Sequence, residues 1–209
     1  MPWLTDVASV ARRHGWYKAA LGVALLLGFC VPYFALQRLA FMPVRTLPVA
    51  WLDDVIQFDP RWVWVYQSGY LLIAGVPLMF NRREDLARYS KAFMWTACTG
   101  FLCFAVYPIS GPRPVVAPAI GMYAWLVSYD QPTNAFPSLH AGLLACTLCS
   151  GACATAGRLS SRTRAWLLGA GVVWAVTVSY AAVATKQHYA VDLPAGAAVG
   201  WLACRWTRS

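Results

Sequence analysis

Three short stretches carry side chains able to do chemistry in a chain that is otherwise apolar. KQHYAVD, Lys186 to Asp192, sets a cation, an imidazole and a carboxylate within seven residues. On a helix, His188 and Asp192, four apart, share a face, and the carboxylate can accept a hydrogen bond from one ring nitrogen. The other nitrogen then keeps a free lone pair suited to nucleophilic attack or to base chemistry. FPSLHAG, Phe136 to Gly142, reads as a helix start, with Pro137 before it, Ser138 as N-cap and His140 in the first turn. Such a turn offers N–H groups and a positive dipole end, and a phosphoryl group is its natural occupant. GPRP holds Arg113 between two prolines, a permanently charged fork that suits bidentate phosphate binding. Lys186 either binds phosphate or snorkels to a membrane interface. Two histidines, one carboxylate and several cations fit phosphoryl transfer better than zinc chemistry, which asks for three or four metal ligands.

The elements that must position these groups read as membrane helices. The 209 residues are 59% hydrophobic and only 12% charged, well above the apolar share of an ordinary soluble domain. Six apolar segments run about 19–36, 62–80, 92–108, 139–157, 165–185 and 189–206. They leave room only for short connections and none for a separate soluble domain, so one integral membrane domain over 1–209 is expected. ARRHGWYK before the first segment resembles a signal-peptide n-region, but no small-residue cleavage site follows, and an uncleaved first span is expected. The net charge of +9 comes from short cationic runs between apolar segments rather than from a basic stripe with interleaved aromatics, which argues against nucleic-acid binding. All seven cysteines lie in apolar segments, and CTLC at Cys146 to Cys149 has no second pair, so helix packing is their expected role.

Lysine and arginine cluster at 12–18, 82–91, 158–164 and 205–208, whereas the alternate connections hold only Arg38, Arg45, Arg61, Arg113 and Lys186. Short cytoplasmic loops carry the excess, so both termini are expected in the cytoplasm and all three chemical stretches at the outer face. Two longer outer connections, 37–61 and 109–138, can each hold a short amphipathic helix on the membrane surface, anchored by Trp51 and Trp125. GAAVG, Gly196 to Gly200, is a GxxxG pattern that permits close helix packing within the chain.

PSLH with His140, followed by His188 and Asp192 in HYAVD, resembles the second and third motifs of the type 2 phosphatidic acid phosphatase (PAP2) superfamily. The resemblance runs from about Gly111 to Asp192. It implies an all-α bundle of six transmembrane helices of the PAP2 and haloperoxidase type. It also implies roles: His188 attacks phosphorus to form a phosphohistidine, Asp192 orients it, and His140 protonates the leaving alkoxide and later activates the acceptor. Arg113 would hold phosphate oxygens, helped by the first-turn amides near Ser138, with Lys186 supplying part of the charge. No metal or other cofactor is implied, because fixed cations and N–H donors can stabilise the developing charge.

The chain departs from the family pattern at four places. Val106 stands where the first motif has a lysine, Ala181 and Ala182 where the third has serine and arginine, and Leu139 where the second has glycine. The wording of FPSLHAG and HYAVDLPAG is nearer the inositol phosphorylceramide synthase-like branch. The expected activity is that of a membrane lipid phosphatase acting on a lipid phosphate or diphosphate at the periplasmic face of a bacterial inner membrane. Two alternatives are a headgroup phosphotransferase, if a lipid alcohol replaces water, and a transporter that kept the fold without the activity. The expected orientation is testable: a fluorescent reporter that matures only in the cytoplasm, fused after Ser209, should be bright, and an exported alkaline phosphatase reporter at the same place should be inactive.

Overall fold

The computed structural model describes residues 10, 12–39, 41–114 and 121–208. In chain order it contains α1 (Gly15–Arg38), β1 (Arg45–Thr46), α2 (Trp51–Val55), a 3₁₀ turn (Pro60–Trp62), α3 (Val63–Leu78) and α4 (Arg83–Val106). Then come β2 (Ile109–Ser110), α5 (Gly121–Tyr129), α6 (Leu139–Ala154), α7 (Ser161–Ala184) and α8 (Asp192–Trp206). The chain is mostly helical, as an all-α fold requires, and each expected apolar segment overlaps one of the six longer helices. Both longer connections carry a short helix, α2 and α5, with Trp51 and Trp125 exposed. Residues 115–120, in the second of these connections, lie outside the described residues.

Local chemistry explains where the helices begin. Ser160 caps α7 by accepting a hydrogen bond from the Thr163 N–H at 3.1 Å. Glu84 and Asp85 occupy the first turn of α4, where the positive dipole end favours them. Both helices therefore start several residues before the apolar segments do, because polar first turns extend them toward solvent. α8 starts three residues later than expected, at Asp192.

α6 and α8 form the closest pair, and α4 packs across both of them; α3 lies against α6 and α7, and α1 lies on α4. A Cβ added to Gly196 would sit 2.0 Å from the Ser138 carbonyl oxygen, and one added to Gly200 would sit 1.8 Å from that of Gly142. GAAVG thus serves contact within the chain, backbone against backbone. The core beneath includes Tyr89, Phe93, Leu143, Leu144, Cys146 and Val178. Outward, the helices present large apolar side chains instead of polar ones: Leu26 and Val31 on α1, Leu71 on α3, Leu102 on α4 and Val173 on α7 are all exposed. Among the described residues, α1 and α7 are long and apolar enough to cross a membrane, and α6 is a shorter apolar helix.

The two ends of the bundle differ. At one, the Lys18 ammonium donates to the Leu78 carbonyl and the Arg158 guanidinium pairs with Asp85 at 2.7 Å. At the other, β1 and β2 pair in parallel, Arg45 with Ile109 and Thr46 with Ser110, and Ile109 also bridges to Asn134. These contacts join both longer connections into one plate over the starts of α6 and α8.

Helix contact through glycine leaves no room for a side chain. Gly200→Leu is expected to destabilise the fold by about 3 kcal/mol or more, seen as a large drop in melting temperature of the detergent-solubilised protein, whereas Gly75→Leu, at an open position, should melt near the wild-type temperature.

Candidate active site

The start of α6 is built as the sequence suggests. Ser138 is its N-cap, and its hydroxyl accepts from the Ala141 N–H at 3.3 Å. His140 follows in the first turn, buried between two tyrosines of α3. Its ring stacks on Tyr66 with centroids 4.5 Å apart and meets Tyr70 edge-on at 4.8 Å. A Cβ at Gly69 would fall 2.3 Å from His140 Nε2, so glycine there makes space for the ring. Neither ring nitrogen of His140 makes a well-formed hydrogen bond among the described residues, and the Tyr66 backbone is near enough to interact with the ring. Buried polar atoms are normally paired, so this imidazole keeps hydrogen-bonding capacity that the fold does not use up.

His188 and Asp192 are brought together, but not along a helix face. α7 closes with a Schellman motif: the Lys186 N–H donates to the Val183 carbonyl and the Gln187 N–H to that of Ala182, each at 3.0 Å. Lys186 takes the left-handed position of that motif, φ 55°, which glycine usually fills. The chain then turns through His188 before α8 opens at Asp192. The pair meets because Asp192 caps this turn, its Oδ2 accepting from the Tyr189 N–H at 2.9 Å and lying 3.4 Å from His188 Nδ1. His188 Nδ1 is closer to the Ala135 carbonyl, at 2.9 Å. A carbonyl only accepts, so Nδ1 carries the proton and Nε2 keeps the lone pair. Asp192 is fully buried at the positive end of α8, a place that favours a carboxylate. The two motifs are joined directly as well, since the Ser138 N–H donates to the Asp192 carbonyl at 3.1 Å. The two imidazoles are close enough to interact electrostatically.

Arg113 reaches the same site from the loop after β2. Its guanidinium donates to the Asp130 carboxylate and carbonyl and to the Gln187 side-chain oxygen. Asp130 in turn accepts from the Tyr33 hydroxyl at 2.9 Å and the Gln37 amide at 2.8 Å. A small cavity of about 10 Å³, room for roughly one water, lies among Tyr33, Tyr66, Arg113, Asp130, Gln187 and His188. The cation is thus already engaged by an anion, and any phosphoryl group bound by it would have to take the place of Asp130.

Lys186 lies apart from this cluster. Its ammonium donates to the Asp53 and Ile56 carbonyls of α2, the Ile56 contact at 2.7 Å. The Asp53 carboxylate accepts from the Ala190 N–H at 2.7 Å. Lysine and aspartate therefore clamp α2 to the two sides of His188, and Lys186 supplies position where a phosphate contact was expected.

Asp130, Gln187, Tyr33, Gln37, Tyr66 and Tyr70 form the rest of the site, and motif reading did not find them. One signal was present: Tyr66 and Tyr70 are four apart on a single apolar segment. Asp130 had a weaker one, being an acid in an outer connection whose only other charge is Arg113.

No curated protein and no solved structure matches the chain. With residues 32–206 matching the model of the PAP2 superfamily, a span that holds every residue of the site just described, the chain belongs to that superfamily, whose members act on phosphoesters as phosphatases or phosphotransferases.

Proposed function

We propose that the protein is a membrane lipid phosphatase that cleaves a lipid phosphate or diphosphate through a phosphohistidine at His188. The single observation that carries this reading is the 2.9 Å contact between His188 Nδ1 and the Ala135 carbonyl, from which the tautomer follows. With Nδ1–H held by the Ala135 carbonyl and backed by Asp192, Nε2 is a directed nucleophile. Its attack on phosphorus breaks the bond to the lipid oxygen, and Nδ1–H, next to a buried carboxylate, stabilises the positive charge that the ring gains. His140, protonated, gives its proton to the leaving alkoxide. Neutral again, it takes a proton from water, which then attacks phosphorus and frees His188. Arg113 and the positive end of α6 balance the charge on the phosphoryl oxygens.

The outward apolar surface supports a six-span bundle, and the cationic end supports placing both termini in the cytoplasm, with the site at the opposite, periplasmic face. A second reading, transfer of a phosphorylated headgroup to a lipid alcohol, draws on Asp130 and Gln187, which line the small cavity and can accept hydrogen bonds from a hydroxylated headgroup.

Purified protein should release phosphate, or a phosphorylated headgroup, from a panel of lipid phosphates and diphosphates, with full activity in the presence of a chelator. His188→Ala should lower turnover by about a thousandfold or more, and an acid-labile, alkali-stable phosphoprotein should be trapped in the wild type alone. Full turnover in that variant would remove the nucleophile assignment. A new phospholipid in place of free phosphate, when a diacylglycerol or ceramide-like acceptor is added, would favour the transferase reading. Lys186→Ala should cost about 2 kcal/mol of stability, measured by thermal unfolding, with KM near that of wild type; a large rise in KM without loss of stability would return Lys186 to the phosphate.

A further inference from the structure

The far end of α6 holds a second group of reactive side chains that the histidine site does not use. Cys149 and Cys153 stand one turn apart on α6, Cys204 comes from the end of α8, and the three sulfurs lie within 4.8 Å of one another. Counting along the helix from His140, the cluster is about 15–20 Å from the candidate active site. CTLC is not the relevant pair: Cys146 is not one of the three and is buried in the core.

We propose that Cys149, Cys153 and Cys204 form a binding site for a thiophilic d¹⁰ cation, with cuprous ion the best match. Sulfurs sharing one ion at a metal–sulfur distance near 2.3 Å lie up to about 4 Å apart, so the trio has to close by only about 1 Å. The donor set is all sulfur, which selects soft ions over magnesium or calcium. Three thiolates suit a trigonal cuprous centre, whereas structural zinc takes a fourth ligand. The Ser150 hydroxyl points at Cys204 Sγ at 3.6 Å, the kind of outer contact that steadies a thiolate.

Access and charge fit as well. A cavity of about 180 Å³ reaches Cys153 and Cys204 and is lined by Arg88, Arg208 and Thr207. Each thiol gives its proton to solvent as the ion binds. The resulting complex carries two negative charges, which the guanidinium groups of Arg88 and Arg208 face. Asp85 also lines this cavity, but its carboxylate is held by Arg158 at 2.7 Å. The Cys153 thiol now donates to the Cys149 carbonyl at 2.8 Å, and binding has to release that bond.

The test is anaerobic titration of reduced, detergent-solubilised full-length protein with cuprous ion against the colorimetric chelator bathocuproine disulfonate. One equivalent should be retained per chain, and Cys204→Ser should bind at least about tenfold more weakly, while Cys98→Ser should bind as wild type does. A second measurement does not depend on variants: cuprous ion should protect Cys149, Cys153 and Cys204 of the wild type from alkylation, mapped by peptide mass, and leave Cys98 reactive. No retained copper, equal retention by Cys204→Ser, or a disulfide within the trio of the protein as isolated would each overturn the site. Zinc held in preference to cuprous ion would overturn the choice of metal.

Discussion

Contact between the backbones of α6 and α8 is the constraint on which the rest depends. Lipid tails are as apolar as leucine, so helices in such surroundings gain little by hiding apolar area from one another. They gain from close approach, and Gly196 against the Ser138 carbonyl with Gly200 against that of Gly142 is as close as two helices come. That approach puts the first turns of the two helices side by side. The Ser138 N–H then reaches the Asp192 carbonyl, and the Ala135 carbonyl reaches His188. One packing decision thus fixes the cap, the place of His188 and its tautomer together.

A second layer of restraint comes mostly from groups outside the cavity. The Schellman motif ending α7 aims Gln187 and His188 inward, and it does so with a lysine in a backbone region that glycine favours. A left-handed lysine costs of the order of 1 kcal/mol, and the two α2 carbonyls bound by its ammonium offset this. Asp53 closes the other side through Ala190. With β1 paired to β2 and Ile109 to Asn134, both outer connections act as a frame around Arg113.

How much of this was legible in the sequence depends on how local each cause is. The Ser138 cap and the place of His140 in the first turn follow from neighbours within three residues, so FPSLHAG was enough. The spacing of His188 and Asp192 brought the right pair together with the wrong geometry, because a capping turn and a helix face both join residues four apart. Lys186 resembled a phosphate ligand, and its partners are carbonyls more than a hundred residues earlier, which no spacing can show. Asp130 and Gln187 meet on Arg113 only through tertiary folding. The cysteines show the same limit: CTLC is a conspicuous local pattern, while the three sulfurs that lie together come from separate positions on two helices.

The unequal lengths of the helices have a consequence for where the site stands. α1, α4 and α7 have 24 residues each, about 36 Å, whereas α6 has 16 and α8 has 15, about 24 and 22 Å. The extra turns of α4 and α7 are the polar ones at their starts, at the end of the bundle away from the histidines. At the other end the His188 N–H still reaches the Ala182 carbonyl in the last turn of α7, at 3.3 Å. The short helices therefore give up depth on the far side and keep His188 level with the end of its longer neighbour.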